Sequence, residues 1–327
     1  LNKMKKLMVI PLVAAGMAAM VGCSKTPVKE AAKNDAINLA NLDTAVAPGT
    51  DFYQYACGGW MKNNPLKPEY ARFGTFDQLR DNNQEQIRTL IEGLSETPGQ
   101  EGSVGQKIGM LFAMGMDSVK LNEDGYAPIK DQLAEINKLG TKDELTKMVA
   151  TLHKEGMAPF FALYVGADEK NSSMNIVQLY QAGLGMGDRD YYLLEDESSQ
   201  KMREAYKNYI TRLFTLIGSS PEQADAAVNA IMKIERGIAE VSFSREDLRD
   251  SQKNYNKMSI EDFKAKNDLL NWDVYFESMG MMDIKYLDAK QLSFYEGLSA
   301  LMKNTTLDEQ KYYLTFNLLS SAAPYLS

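Results

Sequence analysis

The sequence predicts a mainly α-helical fold, a large helical lobe carrying one β-hairpin. Three observations predict it. Helix-capping signals recur along the chain, apolar stripes at helical spacing follow them, and one pair of short segments rich in aromatic and branched residues reads as paired strands. No Pro/Ser/Gly-rich linker divides residues 50–327. No repeat of about 33–45 residues recurs, which argues against a helical-repeat solenoid.

The first folded segment is the densest, TDFYQYACGGWMKNNPLKPEYARFGTFDQLRD from Thr50 to Asp81. Asp51 is placed to cap a helix carrying Phe52, Tyr55, Ala56 and Trp60. The Gly58-Gly59 pair inside it admits a second backbone at close range or lets the chain bend. Pro65 and Pro68 force an extended crossing, after which Thr75 is expected to cap the next helix. Thr141 with Glu144 has capping-box spacing and opens an apolar-periodic run. Phe160–Val165 and Ser173–Tyr180 are the predicted strands, joined by the polar turn GADEKNS. A glycine-rich connection, QAGLGMGDRDYYL, follows.

A helix then carries Met202, Tyr206, Tyr209, Ile210, Leu213, Phe214 and Ile217 as one stripe, ended by Gly218. Ser220-Pro221-Glu222 opens the next with an N-cap, a proline at the first helical position and an acid near the positive helix end. Its stripe is Ala224, Ala227, Val228, Ile231, Ile234, Ile238 and Val241. Thr306 with Glu309 opens the last helix with a second capping box.

Composition narrows the function. The chain has 327 residues with 36 Lys plus Arg, 44 Asp plus Glu, one His and two Cys, for a net charge of −8. That balance argues against nucleic acid, which selects a clustered basic surface. A single His excludes a metal site built from two or three His within this chain. Two Cys exclude a disulfide scaffold and a zinc finger of four Cys or His ligands. His153 lies between Leu152 and the breaker Gly156. A cation at a helix C-terminus is favoured by the helix dipole, so His153 is expected to serve locally as a helix end.

The amino-terminal segment reads as an export signal. Met4, taken as the start, precedes Lys5 and Lys6, and Leu7 to Val21 carry no charge. The run ends in Met20-Val21-Gly22-Cys23 and is short for a membrane-spanning helix. A Cys after a small residue resembles the lipobox of bacterial lipoproteins, with Met20 in place of the usual Leu. On this reading residues 1–23 are a lipoprotein signal peptide, Cys23 is the lipidated residue, 24–48 form a tether plus the start of a fold, and the folded domain runs over 49–327. The protein is expected to be exported to the bacterial cell envelope and anchored in a membrane by lipid. Cleavage removes three Lys and no acid, taking the net charge from −8 to −11.

Several segments together resemble the neprilysin-like zinc endopeptidases of peptidase family M13. DFYQYACGGW and RFGTFDQLRD match the family's N-terminal signature. GLGMGDRDYYL (Gly183–Leu193), IMKIERGIAE (Ile231–Glu240), REDLRDSQKNYNKMS (Arg245–Ser259) and the closing YYLTFNLLSSAAPYLS continue the likeness over about residues 43–327. The resemblance implies the N-terminal part of a two-lobed peptidase whose lobes enclose an internal cavity. It implies cleavage of peptides on the amino side of hydrophobic residues by zinc-activated water. Family zinc is held by the two His of HExxH and a later Glu, motifs this sequence lacks. The chain is therefore expected to bind no zinc, to be inactive alone, and to need a C-terminal catalytic half that is missing here.

By the same resemblance, Arg72 matches an arginine that meets the free C-terminal carboxylate of short substrates, and Asp77 an acid that helps shape that pocket, a role that holding Arg72 would serve. A guanidinium fork suits the task because it binds a carboxylate bidentately and keeps its proton. Asp188, Arg189 and Asp190 are expected to form a charge-paired turn with Tyr191 and Tyr192 packing at the lobe junction, and Asn256 to be a junction or turn residue. Cys57, whose counterpart in eukaryotic relatives pairs with a Cys in the far half, is either a free thiol here or bonded outside this sequence. The competing function is a catalytically inactive peptide- or glycan-binding surface lipoprotein; a subunit completed by a separate chain is a third reading.

Overall fold

A computed structural model describes residues 38–66, Tyr70 and 72–326, which divide into two compact units on either side of Leu90. The expected signal peptide, Cys23 and tether residues 24–37 lie outside the described residues.

In the first unit the fold is under way by Asn38, within the segment read as a tether plus the start of a fold. Asn38 caps a short 3-10 turn, Leu39–Asn41, and Asp43 N–H donates to Tyr55 O at 2.8 Å. That tie holds the segment against helix α1 (Phe52–Asn63), which Asp51 caps through Gln54 N–H at 2.9 Å. Gly59 is the reason the two can touch. A Cβ there would collide with Ala40 O and lie 2.7 Å from Leu42 O, so of the two roles open to the glycine pair, Gly59 takes close backbone approach. Gly59→Ala is expected to cost about 1–3 kcal/mol as overpacking against rigid backbone. Hydrogen exchange of the amides in 39–63 should then accelerate while those of the second unit stay unchanged; equal protection in both proteins would refute the account.

Helix α2 (Thr75–Glu96) opens differently from expectation. Thr75 is its first residue, and the cap comes from Asp77, whose carboxylate accepts from Gly74 N–H at 2.9 Å. An acid in the first turn also meets the positive end of the helix dipole.

In the second unit, α3 (Val104–Met116) is capped by Ser103 and packs through Gly109. A Cβ at Gly109 would lie 2.7 Å from the Leu94 carbonyl carbon. Its outer side is apolar and bare: Val104, Leu111, Met114 and Met116 are 66–72% exposed. Short helices α4 (Ser118–Asp124) and α5 (Lys130–Lys138) lead to α6 (Lys142–Lys154), where the predicted Thr141–Glu144 capping box forms.

The hairpin is present as β1 (Phe161–Asp168) and β2 (Asn171–Gln181), paired antiparallel with Phe161 opposite Gln181. It is longer than predicted, because both strands extend into the polar turn. It is also not alone. Strands β3 (Lys257–Ser259) and β4 (Tyr286–Ala289) complete a four-stranded sheet of order β1-β2-β4-β3, with β2 and β4 parallel. Three- and four-residue strands are too short to show a period of two.

Helix α7 (Asp190–Leu193) is a single turn. Helices α8 (Glu197–Leu216) and α9 (Pro221–Val241) carry the two predicted stripes, and Gly218 ends the first in the left-handed region at φ +86°. Ser220 caps α9 as expected, with Gln223 completing the box. In α8 the stripe is less buried than expected at Met202 and Tyr209, which stay 42% and 38% exposed. Helices α10 (Ile260–Lys266), α11 (Trp272–Met279), α12 (Leu292–Lys303) and α13 (Leu307–Ala322) finish the unit. The core falls in two clusters, of which the larger is rich in aromatic residues. Phe161 has no exposed surface and lies 4.7 Å from the His153 ring, 5.5 Å from Trp272 and Tyr275 and 5.9 Å from Tyr295.

The ends of the hairpin are stitched by charge. Asp168, 1% exposed, accepts from Lys257 Nζ at 2.7 Å, Tyr255 OH at 2.8 Å and Lys170 N–H at 2.9 Å. The Lys257 bond, then the Lys170 amide, hold its carboxyl down at about 2. Lys290 pairs with Glu169 beside it. Asn256 bridges two segments, donating to Lys253 O and Lys290 O.

Candidate functional site

Two regions carry chemistry, one in each unit. In the first unit the RFGTFDQLRD segment is built on aromatic packing. Phe73 stacks on Trp60 at 6.0 Å and leans on Tyr70 at 5.3 Å, and Tyr70 OH donates to Asp81 at 3.0 Å. This corner fixes where Gly74 turns into α2. Asp77 then does two things: it caps through Gly74 and pairs with Arg80 at 3.2 Å. Arg80 also lies over the Tyr70 ring at 5.9 Å. The arginine held by Asp77 is thus Arg80, one helical turn on. Arg72 is exposed, and among the described residues it makes no ion pair.

His153 is placed differently from the sequence reading. It sits in the last turn of α6, but its ring is held among Phe161 and Tyr275. Nε2–H donates to Pro159 O at 3.2 Å, which leaves Nδ1 to accept from Tyr275 OH at 2.6 Å. That is the full capacity of one neutral tautomer. Desolvation pushes the ring down to about 4, so the side chain is a neutral, partly buried hydrogen-bonding residue at the core's edge, not a cation on the helix dipole.

These residues do not fit a zinc ion. Among the described residues no group of three His, Cys, Asp or Glu converges to hold a metal, and both nitrogens of His153 are engaged. Zinc needs three or four such ligands. Among the described residues Cys57, half-buried, forms no disulfide.

The second region was not singled out by the sequence. A cavity of about 450 Å³ opens beside the connection from β2 to α7, and Glu235 of α9 lines it. The carboxylate is 1% exposed. It accepts from Tyr192 OH of α7 at 2.6 Å and from Tyr206 OH of α8 at 2.9 Å. Tyr192 OH in turn accepts from Met186 N–H at 2.9 Å. Burial raises the acid to about 7 against the opposing pull of the two phenols, and burial beside the carboxylate raises both phenols too. Glycines shape the wall. At Gly183, with φ +95°, a Cβ would sit 2.7 Å from Tyr313 OH, and at Gly185 it would collide with the Tyr206 hydroxyl. Tyr313 OH donates to Gly183 O at 2.8 Å and receives Phe160 N–H at 3.2 Å. Phe160 itself is in the left-handed region at φ +67°, a costly conformation for a bulky residue.

The charged turn beside this cavity pairs outward instead of with itself. Asp188 bonds Arg245, and Arg189 Nη1 donates to Ser242 O at 2.5 Å. Tyr192 is buried. The signal that pointed to Glu235 was available: it stands four residues after Ile231 and four before Ala239, on the buried face of α9.

The sequence pattern described as Peptidase family M13 matches residues 48–327. Endothelin-converting enzyme 1 of Mus musculus is 29% identical, over 98% of this chain and 44% of that protein. Endothelin-converting enzyme-like 1 of Homo sapiens is 26% identical, over 97% of this chain and 42% of that protein. Among solved structures, the zinc metalloprotease Zmp1 of Mycobacterium tuberculosis, in complex with an inhibitor, superposes with a TM-score of 0.79 at 24% identity. It covers 89% of this chain and 44% of that one. PepO of Lactobacillus rhamnosis gives a TM-score of 0.69 at 21% identity, over 86% of this chain and 44% of that one. At those identities the structures speak for the fold. The chain spans less than half the length of the relatives it matches.

Proposed function

Because the chain belongs to peptidase family M13, we propose that it is the N-terminal, substrate-enclosing portion of a zinc metalloendopeptidase that hydrolyses peptides on the amino side of hydrophobic residues. The observation that carries this reading is the family match across residues 48–327. Zinc and the water it activates belong, on this reading, to a catalytic half that these residues do not supply. The bare apolar side of α3 supports a larger body, since patches of that kind are normally covered.

Within this portion, Arg72 is the residue that takes the free carboxylate of a short peptide. Its exposed guanidinium is uncommitted among the described residues, while Asp77 and Arg80 hold the turn that carries it. Cys23 anchors the exported protein to a bacterial membrane through lipid; no described helix is long and apolar enough to cross one.

The test is biochemical. Purified residues 24–327 are expected to hold no zinc at one per chain and to leave a peptide with an internal Phe uncut. Protein extracted from its native membrane and blotted with an antibody to residues 50–327 is expected at roughly twice the 36.6 kDa of this chain, with EDTA-sensitive peptidase activity. A native band at 36.6 kDa without activity would move the protein to the inactive peptide- or glycan-binding class.

A further inference from the structure

Buried carboxylates in proteins are ordinarily paired with a cation or a metal, because an uncompensated charge in a low-dielectric interior is costly. Glu235 breaks that pattern. Its partners are two neutral phenols, Tyr192 and Tyr206, and the Gly185 N–H, none of them a cation. The nearby cations are committed elsewhere: Arg189 to Ser242 O at 2.5 Å, and Arg236 to Tyr192 O and Glu240, both at 3.3 Å. The remaining titratable neighbour, Tyr313 of α13, is neutral and bonds Gly183 O. Beside the unpaired acid is not more protein but the 450 Å³ cavity, a size in the range of small-ligand sites.

The rest of the lining suits an extended polar chain with a cationic tip. Gln181, Ser242, Asn317, Ser320 and Ser321 bring neutral hydrogen-bonding groups, and the loop bearing Gly183, Gly185 and Gly187 presents backbone without side chains. Among the described residues no Lys or Arg lines the space. We propose that this cavity is a subsite for a positively charged side chain of a bound peptide, with Glu235 as its counter-ion. The inference rests on the peptidase reading only for taking the ligand to be a peptide. The charge preference follows from the cavity itself. A carboxylate that accepts two phenol hydrogens and the Gly185 N–H keeps lone-pair capacity for a guanidinium. An ion pair formed there is screened less than one at the surface.

The experiment uses the chain as it stands, without zinc and without an activity assay, so its outcome is separate from that of the peptidase reading. Binding of acetyl-Ala-Arg-Ala-amide and of the same peptide with citrulline is measured by calorimetry at pH 8, above the raised value of about 7 for Glu235. Citrulline keeps the shape and removes the charge. The arginine peptide is expected to bind about tenfold more tightly, equivalent to about 1.4 kcal/mol. Glu235→Gln is expected to abolish that preference. Ser321→Trp, at an exposed position on the cavity wall, is expected to weaken both peptides about tenfold. Equal affinities for the wild type, absence of binding, or a preference that survives in Glu235→Gln would each overturn the proposal. The first comparison needs no variant, so misfolding of a mutant cannot shelter it.

Discussion

Phe161→Ala is expected to destabilise the second unit by about 3–5 kcal/mol, the range for removing a fully buried aromatic ring. Phe161 has no exposed surface and stands among His153, Trp272, Tyr275 and Tyr295. Those four rings come from α6, α11 and α12, so the hole left by alanine has walls on three helices. Collapse of one wall would pull on the others: Trp272 Nε1 is tied to Asn267 O at 2.7 Å and His153 to Tyr275 and Pro159. Little relaxation means that most of the cavity cost is retained. Phe161 is also the first residue of β1, opposite Gln181, so the same loss loosens the start of the sheet. Urea unfolding followed by tryptophan fluorescence is the measurement, and it reads the site directly through Trp272. A shift worth less than 1 kcal/mol would mean that the core is not organised around this ring.

The helices were legible because their signals are local. The capping boxes at Thr141 and Thr306, the Ser220-Pro221 opening and the stripes of α8 and α9 each lie within one element. Strands β3 and β4 were not, because their three and four residues acquire meaning only from partners elsewhere: Leu287 pairs with Val177, 110 positions back. The same division runs through the candidate sites. Asp77 was visible by resemblance, yet its pairing with Arg80 needed the helix register. Glu235 could be placed on a buried face from spacing alone, but the phenols that hold it stand 43 and 29 residues away. His153 shows the limit of a local rule. The helix dipole favours a cation at that position, and desolvation among aromatic rings outweighs it.

His153 and Glu235 are expected to give the protein two opposed pH dependences that conceal each other. The His153 ring titrates at about 4 in the folded state against 6.5 when free. Between those values the unfolded chain binds a proton that the native one does not, so stability falls as pH falls from 6.5 towards 4. Glu235 is the reverse case, at about 7 folded against 4.5 free. The native state holds a proton that the unfolded chain has released, so stability falls as pH rises from 4.5 towards 7. Each shift is worth on the order of 3 kcal/mol over its window. Across pH 4.5–6.5 the two nearly cancel, and Asp168, held at about 2, titrates below that range. Glu235→Gln should therefore uncover a stability that rises with pH, and His153→Gln one that falls, from a wild type that is comparatively flat. Urea midpoints at pH 4.5, 5.5 and 6.5 decide the matter. If both variants keep the slope of the wild type, neither group is buried in the protonation state assigned to it. If only the Glu235 variant does, its carboxyl is already balanced by charge, and the cavity beside it has lost its reason to attract a cation.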